Sequence, residues 1–137
     1  MKRLELARVR VCQRCGRGRA ELEGPDGTAL TIPLDAARAA ELERHGEPED
    51  VAWLSMLVVE ALRRQQCAVR EVVLDAAEHG LRALVSIARG EEHDVVACTP
   101  QEGVGLAVRV KVPLYATAEA VALSMKTPEP SGHDTLH

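Results

Sequence analysis

Apolar and polar positions alternate three times in the first third of the chain. Leu4, Leu6, Val9 and Val11 mark a strand with one break in the alternation, Arg19–Glu23 mark a second and Ala29–Leu34 a third. Gly16 and Gly18 allow a turn after the first, and Gly24-Pro25-Asp26-Gly27 is a strong turn signal after the second. The pattern predicts a three-stranded meander.

The period then lengthens to that of a helix. Asp35 can cap a helix over Ala36–Arg44, with Gly46 as its stop. Pro48–Asp50 opens the next, about Val51–Gln65, whose apolar residues run nearly all the way round. A helix apolar on all sides is expected to be the central, buried one. Val69–Leu74, Leu81–Ala88 and His93–Cys98 read as strands. Thr99, Pro100 and Glu102 then form a capping box, with proline where its missing N–H costs nothing, at the start of a helix reaching Val110. In such a box the Glu102 carboxylate returns to the Thr99 amide. A short strand at Val112–Tyr115 and a helix over Ala118–Met125, capped by Thr117, complete the pattern. The expected class is α+β, a mixed sheet with about four helices, in one domain over residues 1–125. Residues 126–137 are polar and proline-bearing, and read as a disordered tail.

Composition changes this picture in one respect. The chain of 137 residues holds one Trp, one Tyr and no Phe, so its core must be aliphatic. A single-stranded nucleic-acid platform of stacked aromatics is thereby disfavoured. The longest apolar run, Val51–Val59, is broken by Ser55 and far short of the roughly 20 residues that span a bilayer. The N-terminus is charged and has no apolar core region, so no secretory signal is read. Four cysteines in such a chain suggest reduced thiols and a cytoplasmic location.

Charge is uneven. Residues 1–20 carry seven basic side chains against Glu5 alone, a local balance of +6, which leaves −10 for the remainder of a chain whose net charge is −4. Arg10, Arg14, Arg17 and Arg19 concentrate at the first turn and could meet a nucleic acid, an acidic protein or a second copy of the chain. They could equally be a solvated strand face.

Cys12 and Cys15 sit at this turn with two residues between them, the spacing of a zinc half-site. No second Cys-x-x-Cys follows, so completion would need two of His45, His79 and His93, or the same pair from another chain. A redox pair would sit at a helix N-terminus, which this stretch lacks. A plain turn with two incidental thiols is the third reading. Cys67 and Cys98 are isolated among apolar residues and read as core. Among the carboxylates, Glu102 and Asp35 are the candidates for hydrolytic chemistry, with Glu41 or Asp94 as possible companions. Each has a structural alternative as a helix cap.

Three stretches resemble a known family. DGTALTIPLDAARAAEL (26–42), CAVREVVL (67–74) and ACTPQEGVGLAVRVKVPLYAT (97–117) are similar to the bifunctional nuclease domain, a small bacterial and plant domain. The resemblance spans about residues 4–125. It implies an α+β fold that forms homo-oligomers and cleaves DNA and RNA with magnesium or manganese. The polar motif is altered here. The family's acid before its Arg-Pro falls on Ala97, its Arg on Thr99, its Ser on Gln101 and its second acid on Glu102. An acid expected early in the first helix falls on Arg38, and a Thr-His-Asp segment falls near Leu54, Ser55 and Met56. Pro100 and the acidic character at 102 are kept, as in a relative that shares the fold but not the chemistry.

Overall fold

The computed structural model describes residues 1–44 and 54–126, and the side chains of all of these except 54–56, 125 and 126. The N-terminal alternation folds as a meander of β1 (Lys2–Val11), β2 (Gly18–Glu23) and β3 (Ala29–Leu34), paired antiparallel in that order. In β2 and β3 the apolar positions Ala20, Leu22, Leu30, Ile32 and Leu34 are buried while their sequence neighbours are not, the period of two that a one-sided sheet requires. The broken alternation in the first strand corresponds to a register shift between Leu6 and Arg8.

Helices α1 (Ala36–Glu43) and α2 (Leu54–Arg64) follow, then β4 (Ala68–Ala77), β5 (Gly80–Arg89) and β6 (Glu92–Cys98) as consecutive antiparallel neighbours. Helix α3 (Pro100–Val110), the three-residue strand β7 (Leu114–Ala116) and α4 (Ala118–Lys126) complete the order. The seven strands form one mixed sheet, β3-β2-β1-β7-β4-β5-β6. β7 runs antiparallel to β1 and parallel to β4, and so joins the meander to the second half. The class is α+β, as the pattern predicts.

The identity of the central helix is not as the pattern predicts. In α2, Leu57 and Val58 are exposed. In α3, the five consecutive residues Gly103–Ala107 are all buried. Five residues exceed one helical turn, so burial there runs round the helix rather than along one stripe. The reason is size rather than hydrophobicity. A Cβ on Gly103 would lie 2.2 Å from the Ala83 Cβ, so this glycine lets α3 sit against β5 closer than any larger residue could. The expected start of the second helix at Val51, its opening at Pro48–Asp50, the stop at Gly46 and the tail beyond Lys126 lie outside the described residues.

Candidate functional site

The two carboxylates singled out by the sequence come together where the N-termini of α1 and α3 meet. Asp35 is the N-cap of α1, and its side chain accepts the Arg38 amide at 2.8 Å. That N–H holds the Asp35 carboxyl below the usual carboxylate range, with Gln101 adding to the effect. Gln101 reaches across from α3 in two directions: its Oε1 accepts the Asp35 amide at 2.8 Å and its Nε2 donates to Asp35 Oδ2 at 3.0 Å. The side-chain amide thus ties the two helix starts together.

Thr99 caps α3 as expected, its hydroxyl accepting the Glu102 amide at 3.4 Å. The other half of the predicted box does not form. The Glu102 carboxylate turns to Arg38, whose Nε donates to Glu102 Oε1 at 2.7 Å. The same guanidinium donates through Nη1 to Glu41, one turn further along α1 and fully buried. A buried carboxylate requires a charged or strongly donating partner, and Arg38 supplies it. Burial works against the Arg38 charge, but the hydrogen bond and charge of Glu102, then those of Glu41, outweigh it and raise its pKa. The Arg38 side chain is 13% exposed and that of Glu102 40%, so the cluster opens to solvent through Glu102. Beneath it, burial and then the Glu102 charge push the Cys98 thiol up. Cys98 is half-buried against the core, and Cys67 is half-buried at the start of β4.

These residues do not fit a magnesium or manganese ion. A hard cation of that kind binds through carboxylate oxygens and waters. Here a guanidinium already occupies the space between Glu41 and Glu102, and both Asp35 oxygens accept hydrogen bonds from protein N–H groups. Among the described residues, no three of His, Cys, Asp and Glu are grouped so as to hold a metal ion. Asp94, on β6, does not join the cluster; its carboxylate accepts the Val95 amide.

The basic turn is a separate feature. The Cys12 amide donates to the Arg17 carbonyl at 2.6 Å and the Gly16 amide to the Cys12 carbonyl at 3.0 Å, with Gly16 at φ +78°. A left-handed residue at this point of a hairpin turn favours glycine. Cys12 is buried and Cys15 exposed, so the two thiols of the pair meet different surroundings, and no disulfide joins any of the four cysteines. The four arginines separate likewise. Arg10 donates to Glu21 at 2.5 Å, and Arg8 reaches both Glu21 and Glu23 at 3.2 Å. Arg19 is half-buried. Arg14 and Arg17 project from the tip, exposed, with no carboxylate of the described residues within ion-pair distance. Carboxylates on β2 therefore pair with Arg8 and Arg10 of β1 and leave the tip basic.

Arg38 and Gln101 are the site residues that sequence reasoning did not assign a role. The signal in the chain is a base at 38, early in the first helix, and an acid at 102, early in the third, which are of opposite charge. No family model matches the chain, and no curated protein matches it.

Proposed function

We propose that this chain is a non-catalytic binding module, built on a fold like that of the bifunctional nuclease domain and presenting the Arg14–Arg17 hairpin tip to an anionic partner. The observation that carries this reading is the Arg38 guanidinium set between Glu41 and Glu102. It supplies in cis the positive charge that a divalent ion would bring, and a carboxylate so engaged is a poor metal ligand. The partner's chemistry follows from charge distribution. A long polyphosphate engaging the tip would also meet a body that carries −10. A short acidic protein segment can engage the two arginines alone, so the acidic segment is the favoured partner.

Nuclease assays on single- and double-stranded DNA and RNA with magnesium or manganese test the first half, with EDTA and Glu102→Gln as controls. No metal-dependent cleavage is expected. Cleavage lost both in EDTA and in Glu102→Gln would show a working site and overturn the proposal. Titration with a fluorescent polyglutamate peptide tests the second half. Binding should weaken steeply with salt and at least tenfold in Arg14→Glu/Arg17→Glu; binding to the wild type that survives this pair of changes would move the surface elsewhere.

A further inference from the structure

An open sheet has two edges, each offering unpaired N–H and C=O groups to another chain. The β3 edge carries Pro33, which has no N–H to donate, and α1, α3 and α4 pack against the strand. Among the described residues, no helix covers the β6 edge in this way. It pairs with β5 in unbroken register from Ala83–Cys98 to Arg89–Glu92, without proline, lysine or bulge. Its first six residues are exposed on both faces. Near its middle stand Val95 and Val96, 56% and 49% exposed. The Val95 amide donates to the Asp94 carboxylate, at 2.9 Å.

We propose that β6 pairs antiparallel with β6 of a second copy of this chain, about a two-fold axis through Val95, so that two seven-stranded sheets become one. The strand itself specifies the register. Val95 is the midpoint of Glu92–Cys98, so this alignment uses the whole strand. It sets Val95 against its counterpart, Asp94 against Val96, His93 against Ala97 and Glu92 against Cys98. Both acids lie in the N-terminal half, so antiparallel pairing places each opposite a neutral residue. A parallel alignment, or an axis through Asp94, would oppose like charges, which destabilises a sheet. The Asp94 carboxylate acts as a guard on the edge in the monomer, and a carbonyl of the second copy replaces it in the dimer. A two-fold axis makes the contact isologous and closed, which prevents growth into a fibre. This surface is independent of whatever the hairpin tip binds.

Sedimentation equilibrium of the full chain over a range of concentrations, with Val95→Lys as the comparator, tests the pairing. The wild type should form a dimer, and Val95→Lys should sediment as a monomer with an unchanged thermal transition. Register is read by crosslinking in a Cys15→Ser background. Val95→Cys should oxidise to a disulfide dimer, since directly opposed residues have Cα atoms about 4.5–5.5 Å apart, whereas Leu57→Cys on α2 should not. A monomer at every concentration, or a dimer that survives Val95→Lys, overturns the proposal. A dimer lost in Val95→Lys but not crosslinked by Val95→Cys overturns the register.

Discussion

Arg38 holds two carboxylates of unequal exposure, and the inequality predicts unequal consequences. Replacing Arg38 with Met takes from the fully buried Glu41 the guanidinium that pairs with it, which should destabilise the fold in urea unfolding by about 3 kcal/mol. Adding Glu41→Leu should restore most of that loss, since a well-packed apolar pair can replace a buried ion pair. Glu102→Gln, by contrast, alters a carboxylate that already reaches solvent and should cost under about 1 kcal/mol. Gly103 is the least replaceable residue of α3. An alanine there must push α3 off β5 and should cost about 1–3 kcal/mol, whereas Gly105, with open space around its Cβ position, should accept alanine without loss. The thiols should also separate. Iodoacetamide should label exposed Cys15 first, with Cys98 slow because burial and the Glu102 charge keep it protonated.

Helix starts are where the elements depend on charge. Asp35 caps α1 and clasps α3 through Gln101. Asp75, on β4, accepts the Thr117 hydroxyl at 3.0 Å, and Thr117 in turn accepts the Ala120 amide at 3.1 Å to start α4. Hydrogen bonds from the Arg38 amide and from the Thr117 hydroxyl lower the pKa of Asp35 and Asp75 respectively in the folded state. Between the folded and unfolded pKa values the unfolded chain binds more protons, so acidification favours unfolding. The stability these caps contribute is complete above the ordinary aspartate pKa of about 3.9 and is lost as pH falls through their lower folded values. Thermal melts should therefore fall off below about pH 4, and less so in Asp35→Asn than in the wild type. These caps were legible in the chain, as Thr99-Pro100 and Thr117 each precede a helical pattern. The strands were legible too, because burial on one face imposes alternation. What α3 and α2 share is an apolar pattern, and pattern alone does not rank helices by depth. Gly103 carried that information, as a small residue inside a helix that needs a packing reason. The α3 end was less visible, because the left-handed position there falls on Lys111 at φ +59° rather than on a glycine.

At the scale of the molecule, alternation does not specify strand order. Nothing in the local pattern of Leu114–Ala116 shows that it lies between β1 and β4. Yet these three residues pair with Lys2–Leu4 on one side and Val72–Leu74 on the other. A proline at Tyr115 should thus act on both halves of the sheet at once and cost about 3 kcal/mol or more, read as a fall in the urea midpoint. The clustering of Asp35 and Glu102 was similarly invisible locally, since 66 residues separate Asp35 from Gln101, its contact on α3.

The late position of β7 also dictates an order of events during synthesis. The β1–β3 meander and the β4–β6 strands are each made of neighbours in the chain, so each can form as it leaves the ribosome. The strand that unites them emerges more than one hundred residues after β1. Until then β1 and β4 each have an open side, and the nascent chain is two half-sheets waiting for the same insert. Two chains growing side by side on one message could trade that insert, β7 with α4, each completing the other's sheet. Such an exchanged pair would be native in every local contact while being joined through the centre of both molecules.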